Sequence, residues 1–90
     1  MRNGINEIKD IRDINDIRER LFALADEKYK DFQSALMPTV DKSKVIGVRT
    51  PMLKKLAKEL KNTALAEEFL NALPHKYYEE DNLHAFLLNE

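Results

Sequence analysis

Two glycines and three prolines in 90 residues leave this chain almost without the residues that strands and tight turns require. Leu, Ala, Lys and Glu dominate instead, and five of the six isoleucines stand near the start. An all-α protein follows, with Pro38, Pro51 and Pro74 marking where helices stop or begin. The length allows one domain. The absence of cysteine excludes a disulfide framework and a thiolate metal site. No apolar run approaches a membrane span and no signal-peptide core stands at the N-terminus, so the expected address is the cytoplasm.

Residues 5–19, INEIKDIRDINDIRE, repeat a tripeptide of isoleucine, a polar or basic residue, and an acid. A step of three loses about 60° per repeat on an α-helix, so Ile5, Ile8, Ile11, Ile14 and Ile17 spiral around the axis rather than forming one face. From Ile17 the spacing changes to Leu21, Leu24 and Ala25, a helical stripe. The reading is an N-terminal helical extension over 1–17 with partly packed early turns. The alternative is an arm that wraps a partner.

Four further helices are expected. One spans about 27–37, with Asp26 as N-cap, Tyr29, Phe32 and Leu36 as its apolar stripe, and Pro38 as its stop. A second opens at Thr50. A third is capped by Asn62 or Thr63, contains Leu65, Ala66, Phe69, Leu70 and Leu73, and halts at Pro74. The last, YYEEDNLHAFLLNE, begins with acidic residues that suit a helix N-terminus.

The stretch VIGVRTPMLKKLAKEL, residues 45–60, carries the strongest functional signal. Thr50 reads as an N-cap and Pro51 as the first helical residue. Leu53, Leu56, Ala57 and Leu60 fall within about 100° of the wheel, and Lys54, Lys55, Lys58 and Lys61 occupy an opposite arc of about 120°. Gly47 allows a left-handed backbone just before the turn, and Arg49 stands beside the helix's positive end. Residues 42–61 hold seven basic side chains against Glu59 alone, a local net charge of +6 inside a chain whose total is −1. Such a block is either a phosphate-holding surface or a solvated helix face.

LFALADEKYKDFQSALMPTVDKSKVIGVRTPMLKKLAKEL, followed by FLNALPHKYYEEDNLHAFLL, resembles the N-terminal part of the bacterial DNA alkylation repair proteins, alkylpurine glycosylases built from HEAT-like repeats. The most specific features are IGVRTPMLKKLAKEL and LPHKYYEEDNLHAFLL in that order, and the resemblance covers about 18–90. It implies a stack of antiparallel helix pairs with a basic concave side that grips duplex DNA. It also implies release of alkylated purines by N-glycosidic cleavage, without metal or organic cofactor. By this likeness Arg49, Thr50 and Pro51 match the turn that approaches DNA, and Lys54, Lys55 and Lys58 follow on the helix. The family's active site uses tryptophans and an aspartate from later helices. This chain has no Trp and ends at Glu90, so no catalytic residue is assigned and the catalytic part is expected to be missing. The other class of function is a small helical interaction module without enzymatic activity.

The remaining chemical residues receive plainer readings. His75 and His84 are nine apart, which is not a metal pair on one helical face. Tyr77 and Tyr78 read as packing residues, Met37 and Met52 as core filler, and Glu79, Glu80 and Asp81 as acids that compensate a helix dipole. Asp10, Asp13, Asp16, Asp26, Asp31, Asp41 and Asp81 sit in polar contexts or at cap positions. Leu83, Phe86, Leu87 and Leu88 form an apolar stripe on the last helix. Finishing on such a stripe suggests a fragment, a truncated product, or a subunit that self-associates into a homo-oligomer.

Overall fold

The computed structural model describes residues 13–89, so Ile5, Ile8, Ile11 and Asp10 lie outside the described residues. Among the described residues five α-helices follow one another: α1 (Ile14–Ala23), α2 (Glu27–Leu36), α3 (Thr50–Leu60), α4 (Ala64–Asn71) and α5 (Tyr78–Asn89). A single 3-10 turn, Lys42–Lys44, interrupts the connection between α2 and α3. No strand is present among the described residues, and none of their helices is long and apolar enough to cross a membrane. The protein is all-α, as its composition requires.

Local chemistry sets most of the boundaries. The Asp13 carboxylate accepts from the amides of Asn15 and Asp16, while Asp16 accepts from the Asp13 amide; this reciprocal capping box starts α1. Asp26 caps α2 by accepting from the Tyr29 amide at 3.1 Å, and Thr63 caps α4 by accepting from the Ala66 amide at 3.1 Å. Asp41 caps the 3-10 turn. Every described aspartate but Asp31 and Asp81 thus serves a helix start, and Asp31 pairs with Lys42 at 2.6 Å.

The core joins all the helices except α2. Ile17 and Leu21 of α1, Leu53, Leu56, Ala57 and Leu60 of α3, Ala66 and Phe69 of α4, and Leu83 and Leu87 of α5 are buried together with Ile46 and Val48. Each buried Ile, Val, Leu or Phe among them contributes roughly 2 kcal/mol by leaving water, and the two alanines less. The closest packing is α3 against α5. The start of α5 lies at the loop leading into α3, since Glu79 bonds the Val48 amide, and Lys54 meets Phe86 further along. The two helices therefore run in the same direction, with α4 connecting them.

Four expectations about packing fail. In α2, Phe32 and Leu36 are 61% and 66% exposed, and no residue of that helix is buried. The reason is the close approach of α2 to Gly47, which turns Tyr29 and Lys30 toward the body and Phe32 and Leu36 away from it. The α1 stripe stops short, with Leu24 as the C-cap and Ala25 exposed beyond it. Helix α4 ends at Asn71, leaving Leu73 outside it and exposed. Met52 is exposed rather than core filler, because the leucine arc of α3 already fills the contact with α5. The stripe on α5 is largely consumed within the chain: Leu83 and Leu87 are buried, Phe86 packs at the edge, and only Leu88 is exposed.

Candidate nucleic-acid interface

Val45, Ile46, Gly47 and Val48 enter the protein as a buried segment that is neither helix nor strand. Gly47 has φ of +96°, and its carbonyl accepts from the Asp26 amide at 2.9 Å. A Cβ at this position would lie 2.6 Å from Lys30 Cβ and 2.9 Å from the Asp26 carbonyl oxygen, so only glycine permits the contact. The bend sends the chain outward at Arg49, whose guanidinium lies 4.8 Å over the Tyr29 ring and 3.2 Å from the Asp26 carboxylate. The Tyr29 amide, and then Arg49, hold the Asp26 carboxyl below its ordinary range.

Arg49, not Thr50, is the N-cap of α3. Its backbone is extended and its carbonyl accepts from the Met52 and Leu53 amides, which places Thr50 and Pro51 inside the first turn. The helix opens directly behind the buried, non-helical segment that ends at Val48, so its cap is the first exposed residue, Arg49. No side chain caps α3, whereas α1, α2 and α4 each have one. Thr50 and Pro51 are exposed at this open first turn.

The two arcs of α3 separate as the spacing predicts. Leu53, Leu56, Ala57 and Leu60 are buried, while Lys54, Lys55, Lys58 and Lys61 are exposed. Lys54 Nζ lies 5.7 Å from the Phe86 ring centroid. Among the described residues, no salt bridge engages Lys54, Lys55 or Lys58. The block's one acid, Glu59, is taken by Arg20 of α1 at 3.3 Å. Lys42, by contrast, is bound to Asp31, which raises its pKa. The expected interface residues Arg49, Thr50, Pro51, Lys54, Lys55 and Lys58 are therefore exposed along one helix and the bend before it.

Behind this edge stand two buried acids whose roles the sequence did not disclose. Glu79 is fully buried, and its carboxylate accepts from the amides of Ile46 (2.8 Å), Gly47 (2.8 Å) and Val48 (3.3 Å). Glu80 accepts from Arg18 Nε at 2.9 Å and from the Lys76 and Tyr77 amides at 3.0 Å. Burial alone would raise the Glu80 carboxyl, but these donors more than offset it and hold it low. Reading Glu79 and Glu80 only as dipole-compensating residues is thus too weak, because each has specific long-range or loop partners. Asp81 alone of the three is exposed. The packing reading of Tyr77 holds, with its ring 5.1 Å edge-on from Phe22.

The fold also brings together two histidines that spacing kept apart. His75 Nε2 and His84 Nδ1 are 3.0 Å from each other, and the His75 ring stacks on Phe69 at 4.4 Å. Among the described residues no group of three or more His, Cys, Asp or Glu could hold a metal ion. Burial lowers the His75 pKa; His84 and Arg18 push the same way, and Glu80 and Asp81 oppose them. The folded chain holds this proton more weakly than the unfolded chain does. Stability from this site is complete above the unfolded value of 6.5 and is lost as pH falls through it toward the lower folded value. The melting temperature is expected to drop between about pH 7 and about pH 5, and His75→Gln to flatten that drop in thermal melts followed by circular dichroism. An equal drop in both proteins would contradict this assignment.

No curated protein matches the chain, and no solved structure does. The family model described as DNA alkylation repair enzyme matches residues 17–90, from the buried Ile17 of α1 through the bend, the lysine helix and α5. On that match, the chain belongs to the DNA alkylation repair enzyme family.

Proposed function

We propose that the bend at Gly47 and the exposed edge of α3 form a surface that holds the sugar-phosphate backbone of duplex DNA during repair of alkylated purines. The observation that carries this reading is the exposed row of Lys54, Lys55 and Lys58, which no salt bridge engages among the described residues, while Glu59, the one acid of the block 42–61, pairs with Arg20. Lysines in this position neutralise phosphates and release counterions, which is a sequence-independent grip. Arg49 adds a planar donor at the uncapped start of α3, where the helix dipole also favours anions.

Excision is a separate matter. Removing a cationic alkylated base requires a fixed anionic or electron-rich group beside the developing positive charge on the sugar. The described aspartates other than Asp81 serve caps or ion pairs, Glu79 and Glu80 are bonded to backbone or Arg18, and the chain has no tryptophan. The reading therefore gives these residues DNA binding and no part in base removal. Fluorescence anisotropy with a labelled duplex is expected to report binding that weakens steeply with salt, and a methylated duplex is expected to keep its bases. Salt-independent or absent binding, or excision by this chain alone, would overturn the proposal.

The exposed Phe32 and Leu36 favour a second reading, a module that contacts protein through the outer face of α2. Under that reading Arg49, Lys54 and Lys58 could be changed without effect on partner binding, whereas Phe32→Ser and Leu36→Ser would abolish it.

A further inference from the structure

Residues 45–48 are buried and form neither helix nor strand, and no strand among the described residues pairs with them. Their amides need acceptors that regular secondary structure does not supply, and a buried amide left without one is costly. One carboxylate meets three of them in succession, that of Glu79, which lies 31 to 33 residues further along the chain. Among the described residues no cation pairs with Glu79. Its charge is balanced by the three amides and by its place in the first turn of α5.

Three successive amides reach one carboxylate only if the backbone folds around it, and the positive φ of Gly47 supplies that curvature. Arg49 follows directly, and its carbonyl receives the first bonds of α3. Any shift of the 46–48 backbone therefore carries Arg49 and the first turn of α3 with it. Glutamine would preserve the shape of Glu79 but turn an amide donor toward another donor. We infer that Glu79 is a positioning residue for the DNA interface: it touches no DNA, and it sets the bend so that Arg49 and the start of α3 face the duplex together. This inference rests on the interface proposed above.

The test is a double-mutant cycle on binding of a short fluorescein-labelled B-form duplex by the full chain, with thermal melts establishing that each variant is folded at the assay temperature. Glu79→Gln is expected to weaken binding about tenfold, Arg49→Ala by a similar factor, and the double variant by little more than either alone. Glu79→Gln combined with Lys58→Ala, roughly two turns along α3, is expected to give losses that multiply. A folded Glu79→Gln chain that binds as tightly as the wild type, or losses that multiply with Arg49→Ala, overturns the inference and leaves the interface standing. Absent binding by the wild type, or undiminished binding by a triple Arg49→Ala, Lys54→Ala, Lys58→Ala chain, removes both. Should Glu79→Gln fail to fold, hydrogen exchange in the wild type decides. The amides of Ile46, Gly47 and Val48 are expected to be protected before DNA is added and to remain so; protection that arises only with the duplex would overturn the inference.

Discussion

Replacing Gly47 with alanine is expected to destabilise the fold by about 3 kcal/mol, which for a domain of this size lowers the melting temperature by on the order of 15 °C. Two costs combine. A non-glycine residue at φ of +96° is strained, and the added methyl would meet Lys30 Cβ at 2.6 Å and the Asp26 carbonyl at 2.9 Å. Both obstructing atoms belong to the first turns of α2 rather than to the tip of a flexible side chain, so relief requires moving the helix. That movement would stretch the Asp26 to Gly47 backbone bond and the contact between Arg49 and Tyr29. Calorimetric melts of the two proteins measure the effect. A fall of less than about 3 °C would mean that α2 can retreat cheaply and does not clamp the bend.

The second large effect concerns binding. Changing Arg49, Lys54 and Lys58 together to alanine is expected to weaken duplex binding roughly a hundredfold, at about 1 kcal/mol per lost phosphate contact. It should also make the salt dependence of log K shallower by about 3, because each neutralised phosphate contributes about 0.9 to that slope. The side chains are exposed, so the fold should survive. Arg49 gives up one exposed ion pair with Asp26, and Lys54 gives up a ring contact with Phe86. Lys76→Ala, which removes a basic residue outside the block, serves as the control and should leave both affinity and slope unchanged. Equal losses in the control and in the triple variant would mean that general charge, not this edge, governs binding.

How much of this was legible in the sequence follows from the range of each interaction. Asp26 and Thr63 announce their helices because a cap acts over three residues, and the leucine and lysine arcs of α3 separate because helical period alone places them. Gly47 was readable as a special backbone position from the scarcity of glycine. The cap of α3 falls at Arg49, one residue before Thr50, because the helix starts where the buried 46–48 backbone ends, and that backbone is held by Glu79 more than 30 residues away. The outward turn of Phe32 and Leu36 was hidden for a similar reason: periodicity gives a face to a helix but does not say which face a distant glycine will draw inward. His75 lies in the joint after Pro74, where no local period relates it to His84 of α5. The acids at 79 and 80 carried a true helix-start signal, and only the fold divided them into one that binds a loop and one that binds Arg18.

If DNA is met by the Gly47 bend and the lysine edge of α3, those residues should respond to a duplex and the rest of the molecule should not. Amide chemical-shift mapping of the labelled full chain against an unmodified duplex tests it most directly. Perturbations are expected to run through Gly47 to Lys58, to reverse on adding salt, and to leave α4 and the outer face of α2 unchanged. Shifts concentrated on α4, or on Phe32 and Leu36 with the lysine edge silent, would contradict it.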